Sequence, residues 1–159
     1  IDKDSGATIG VTQLRASLNA QIPDKAMEYF LVTEVITKLR TIPIDKTQYL
    51  KNIESTYAFM TPASKQKFAD FIKQTKTAEI LDSKSINTVV KSFNKVPDSK
   101  DTYSIRWQEV TYDGNKTEST DNYVALITVT IKETTEADYR RNPFGIIIKD
   151  VSVSKENIN

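Results

Sequence analysis

Residues 102–132 read TYSIRWQEVTYDGNKTESTDNYVALITVTIK, and the alternation inside this stretch settles the fold class. Tyr103, Ile105 and Trp107 alternate with Ser104, Arg106 and Gln108, while Tyr123, Ala125, Ile127, Val129 and Ile131 share one side of a second run. Successive side chains of a strand point to opposite faces, so each run predicts a strand with one face on a core and the other toward water. Between the runs, Asp113-Gly114-Asn115 supplies residues that tolerate positive φ, the chemistry of a hairpin turn. Strands are therefore expected over 102–112 and 122–132. Trp107 belongs on the core face, and its neighbour Arg106 on the solvated one.

The same period extends outward. Residues 86–96 and 145–154 read as two further strands, with Pro97-Asp98-Ser99 turning the chain between the first two. Before Lys84 the period becomes 3.6. From Asp24 to Arg40, Met27, Leu31, Val35 and Leu39 recur every four positions, and Phe30, Val32 and Ile36 widen the stripe into a broad buried face. Pro43 follows that helix. A second helix starts at Asp45, whose carboxylate caps the backbone while Gln48 reaches back, with Tyr49, Leu50, Ile53 and Tyr57 as its face. A third starts at Thr61 with Pro62 in the first helical position and Phe68, Phe71 and Ile72 facing inward. Lys65, Lys67, Lys73 and Lys76 give this third helix a basic, solvated face. Helices followed by strands indicate an α+β arrangement, a curved antiparallel sheet of about four strands with about three helices on one face. One domain over residues 1–159 is expected. Residues 1–21 fit no element well: Asp2, Asp4 and Gly6 suggest a calcium loop, but Ala7 and Gln13 stand where glycine and glutamate are needed, leaving a polar turn before a short element at 10–18.

Composition narrows the chemistry. With no histidine and no cysteine among 159 residues, Ser-His-Asp, Cys-His and zinc–thiolate sites are excluded. A net charge of +1 argues against stable nucleic-acid binding, which draws its affinity from phosphate neutralisation. No cofactor or metal is expected.

The segment Asp138-Tyr139-Arg140-Arg141-Asn142-Pro143-Phe144-Gly145, followed by three isoleucines, carries a turn: Pro143 fixes one φ and Gly145 frees the next corner. Phe144 then either tucks into the core or is held out as a contact. RNPFGIIIKDVSVSKE resembles the Asn-Pro-x-Gly turn and last strand of the TrbF family, the eighth component of VirB-type secretion machines. YFLVTEVITKLRTIPIDKTQYLKNIESTYAFMT, YSIRWQEV, YDGNKTES and YVALITVTI resemble that family's first two helices, Arg-Trp strand and next hairpin, in the same order over about residues 26 to 155. Phe144 stands where the family more usually has leucine.

The resemblance implies a nuclear-transport-factor-two-like cone, projecting into the bacterial periplasm from an inner-membrane helix upstream of this chain. It further implies a structural part in type IV secretion, conjugation and plasmid transfer, through self-association and contacts with other secretion components. Asn142, Pro143, Phe144 and Gly145, with Tyr29 on the first helix, are the implied partner-binding residues. Phe144→Ala and Gly145→Val are expected to weaken such contacts with the fold intact. The competing reading is a cone-fold enzyme or ligand-binding domain using a buried carboxylate among Glu34, Glu109 and Asp150, all of which are expected at exposed or edge positions. One test needs sequence only: the natural residues before Ile1 should include a single apolar stretch of roughly 20 residues, and a cleavable secretory signal there would contradict the anchored reading.

Overall fold

The computed structural model describes residues 22–157; the readings for residues 1–21 lie outside them. Helix α1 covers residues 24–40, α2 Lys46–Tyr57, α3 Pro62–Gln74 and α4 Thr77–Ser83. Strands follow at β1 Ser85–Lys95, β2 Thr102–Asp113, β3 Lys116–Ile131 and β4 Ile146–Glu156. The strands form one antiparallel meander in the order β1-β2-β3-β4, with the helices on one face. This is the expected α+β arrangement. No helix among the described residues is long and apolar enough to cross a membrane.

The inner face of the sheet is the one the alternation predicts: Tyr103, Ile105 and Trp107 on β2, and Tyr123, Ala125, Ile127 and Val129 on β3, are all buried. Three bulges, at Lys91, Glu118 and Lys149, each place an extra residue in one strand and bend the sheet. The bulge at Lys149 also resets the side-chain period, so Ile148 and Val151, three apart, both face the core. Gly114, at φ 64, begins the two-residue β2–β3 turn, and Asp98, at φ 63, turns β1 into β2. β3 starts six residues before the expected Asn122. That arm, Lys116 to Asp121, is polar and exposed or half-buried; its pairing with β2, not burial, makes it a strand.

Helix α1 is α-helical over Asp24–Glu28, π-helical over Tyr29–Thr37 and α-helical again over Lys38–Arg40. A residue every four positions drifts by roughly 40° per step around an α-helix. The wider i→i+5 turns turn that seam back toward the sheet, and Met27, Leu31, Val35 and Leu39 are all buried. Asp45 caps α2 by accepting from the N–H groups of Thr47 and Gln48 at 3.0 and 3.4 Å. The Gln48 side chain does not reach back as expected; it donates forward to Asn52 at 2.9 Å. Leu50, expected inside, is 59% exposed, and Thr56 takes an inner position instead, donating to the Glu34 and Asn52 carbonyls. Thr61 caps α3 with Pro62 next to it, as the sequence predicts. Lys76 lies past the end of α3, in a left-handed conformation at φ 55 that turns the chain into α4. The sequence reading assigns no element to α4. Its Ile80 and Leu81 pack on a small second core of Ile42, Tyr49 and Ile86, contacts only the folded chain creates.

The largest correction lies at the centre. Glu109, expected at an exposed or edge position, is 2% exposed, and Arg40 beside it 1%. The guanidinium grips the carboxylate with two parallel bonds, Nε to Oε2 at 2.6 Å and Nη2 to Oε1 at 2.9 Å. Trp107 Nε1 donates to Glu109 Oε2 at 2.8 Å, Arg40 Nη1 donates to Thr77 Oγ1 at 3.2 Å, and the guanidinium stacks 4.7 Å from the Phe71 ring centroid. Glu34 is buried too and accepts from Lys38 Nζ at 2.9 Å. Asp150 is exposed, as expected, and paired with Lys67. Arg40→Met would strand a buried carboxylate and should cost about 3–5 kcal/mol in urea denaturation. Adding Glu109→Leu should recover part of that loss; a double variant less stable than Arg40→Met would contradict the account.

Candidate functional site

The segment between β3 and β4 is closed at its base by Lys132 N–H donating to Gly145 O at 2.7 Å. Inside it, Gly145 N–H donates to Asn142 O at 3.1 Å, closing a four-residue turn. Asparagine first, proline second and glycine last is the pattern of a type I turn, and the absence of positive φ at Phe144 agrees. The Asn142 side chain acts as an extra peptide group. Its Oδ1 accepts from Ile146 N–H at 2.9 Å and its Nδ2 donates to Ile146 O at 2.8 Å. Thr134 Oγ1 donates to Asn142 O at 3.2 Å from the other limb.

These bonds divide the sequence-predicted residues into two groups. Asn142 and Gly145 are buried and hold the turn. Pro143 and Phe144 form its exposed tip; Phe144 is 38% exposed and does not tuck into the core. Gly145 sits at φ 65, and a Cβ there would lie 1.8 Å from the backbone oxygen of Lys132 and 2.8 Å from Thr134 Oγ1, far inside van der Waals contact. The expectation that Gly145→Val leaves the fold intact is therefore corrected: no side chain fits.

Tyr29, far away in sequence, is 58% exposed on α1. Its neighbour Phe30 is buried, with its ring 5.4 Å from that of Phe59. On Phe59 rests the guanidinium of Arg141, 4.7 Å from the ring centroid, and Arg141 directly precedes Asn142. Two rings and one cation thus connect α1 to the stem of the turn. Tyr139, 63% exposed on the same segment, was not singled out from sequence. Its only sequence signal is an aromatic among charged loop residues.

The alternative site would be a groove between α3 and the β3–β4 edge. One part, about 230 Å³, is lined by Lys67, Asp70, Phe71, Gln74 and Val151–Val153; an adjoining part, about 370 Å³, adds Lys76, Asp121, Tyr123 and Lys155. Neither Glu34 nor Glu109 lines it. Asp121 is paired with Lys155 at 2.9 Å. The hydrogen bond from Lys67 holds the Asp150 carboxyl below its usual range. Burial pushes the Tyr123 hydroxyl up to about 12, so it stays protonated near neutral pH. The groove thus holds the Asp121–Lys155 ion pair, a neutral phenol and the Asp70 carboxylate, which accepts from Gln66 Nε2 at 2.9 Å.

A family model described as VirB8 protein matches residues 1–156. Among solved structures, the soluble domain of TrwG from the Bartonella grahamii type IV secretion machinery is 15% identical, with a TM-score of 0.71, covering 87% of this chain and 99% of that one. The VirB8 protein of Agrobacterium tumefaciens is 14% identical, with a TM-score of 0.66, covering 79% and 88%. A periplasmic fragment of TraM is 11% identical, with a TM-score of 0.58, covering 84% and 98%. At these identities the structural matches establish the fold. No curated protein sequence matches significantly.

The turn geometry makes a paired prediction. Gly114 and Gly145 both have positive φ, but a Cβ at Gly114 meets open space. Gly114→Ala should cost about 1 kcal/mol, the left-handed penalty alone. Gly145→Ala should cost clearly more, about 3 kcal/mol, because the turn must also open. Equal losses of stability on urea denaturation would remove the clash from the explanation.

Proposed function

The chain belongs to the VirB8 protein family, and from that premise we propose that it is a scaffold component of a type IV secretion or conjugation machine. In this reading the domain stands in the periplasm, anchored to the inner membrane through an upstream helix, and works by docking to copies of itself and to other secretion components. Membership agrees with the resemblance read from the ordered segments between residues 26 and 155. Periplasmic placement draws support from the TraM relative, which is described as a periplasmic fragment.

The observation that carries the docking reading is the rigid presentation of Phe144. Asn142, Gly145 and Ile146 close the base of the turn with hydrogen bonds, yet Phe144 at its tip keeps 38% of its surface in water. An exposed aromatic held in one place loses little conformational entropy on binding, and such anchors carry much of the affinity in protein interfaces. Pro143, Phe144 and Tyr29 are the proposed contact residues, and Asn142 and Gly145 serve them by holding the turn. Small contacts of this kind gain strength when copies are confined to a membrane. The enzyme reading has less support. Its best-placed carboxylate, Glu109, already accepts three hydrogen bonds from Arg40 and Trp107.

Phe144→Ala and Tyr29→Ala should each weaken self-association about tenfold, roughly 1.4 kcal/mol, with circular dichroism and melting unchanged. Sedimentation equilibrium and pull-down of secretion components measure this. Folded variants that associate like wild type in both assays would remove the turn and α1 from the mechanism.

A further inference from the structure

We infer that Arg141 is the positioning residue of the Asn142–Gly145 turn, fixing the direction of Phe144 by locking the turn's stem to the joint between α2 and α3; the inference rests on the docking reading only for its functional consequence. The end of a helix leaves its last carbonyls without intrahelical donors. At the end of α2, Thr56 O accepts from Phe59 N–H at 3.0 Å and Tyr57 O from Met60 N–H at 3.2 Å. Ser55 O accepts from Arg141 Nη2 at 3.1 Å, across 86 positions of sequence. Arg141 therefore completes the C-terminal cap of α2 and brings positive charge to the negative end of the helix dipole. The same guanidinium lies on the Phe59 ring, and its buried Nε finds no acceptor among the described residues. A group leaving one buried donor unpaired to keep its plane on a ring is placed by that ring, and only a planar cation stacks and donates sideways at once.

The other stem of the turn is tied to the same joint. Ile148 N–H donates to Phe59 O at 2.8 Å and Ile148 O accepts from Thr61 N–H at 3.0 Å. Residues 59–61 thus fix both approaches to the turn, one through backbone bonds and the other through Arg141.

Arg141→Met, Arg141→Lys and, as control, the exposed Arg140→Met test this by amide hydrogen exchange. Arg141→Met should speed exchange at Gly145 and Ile146 by about tenfold or more, with core amides of β2 and β3 unchanged. Arg141→Lys should restore protection only in part, and Arg140→Met should behave as wild type. Phe59→Leu, which removes the ring and keeps apolar bulk, should reproduce the loss if Arg141→Met folds poorly. Wild-type protection in folded Arg141→Met or in Phe59→Leu would overturn the inference, as would full restoration by lysine. Faster exchange, with Phe144→Ala associating normally, would uphold the positioning role and refute the docking reading separately.

Discussion

The fold turns on a buried cation and a buried anion that neutralise each other. Arg40 ends α1, Glu109 sits mid-strand on β2, and the two are held by parallel bonds and buried from solvent. Isolated, either charge would cost several kcal/mol to bury. The pair is tolerable only where helix and strand meet in one register, so it penalises alternative packings of the helical layer more than it stabilises this one. Thr77 and Trp107, from α4 and β2, and Phe71 from α3 complete the shell. Helices α1, α3 and α4 are thereby referred to one point.

At the other end of the molecule the chain joint between α2 and α3 plays the comparable part. Phe59 touches Phe30 of α1 with one ring contact and Arg141 with another, while its carbonyl and the Thr61 N–H extend β4 by a short parallel bridge. Packed groups thus join α1 to the turn without a break.

Tyr29 and Phe144 illustrate what could be read early. Asn-Pro-Phe-Gly announced a turn because its residue types restrict backbone angles locally, and the turn closes as that chemistry requires. Tyr29 fell within an apolar stripe where core and surface aromatics look alike. The burial of Glu34 and Glu109 was unreadable because solvation depends on partners: Lys38 is four residues from Glu34, but Arg40 is sixty-nine from Glu109. Leu50 went the other way. Helical spacing allowed it inside, and the geometry of α2 turned it to water.

By itself the sequence determined the elements whose cause is local: alternation for the strands, the stripe and caps for three helices, positive-φ residues for the turns. It also determined that histidine and cysteine chemistry is absent. Tertiary structure alone decided what depends on distant neighbours. It added the seven-residue α4, extended β3 through a polar arm, placed Arg141 on Phe59, and buried an arginine and a glutamate together. Local propensity acts through a few bonds of chain, but a charge is stabilised in the interior only by whatever group the completed fold sets against it.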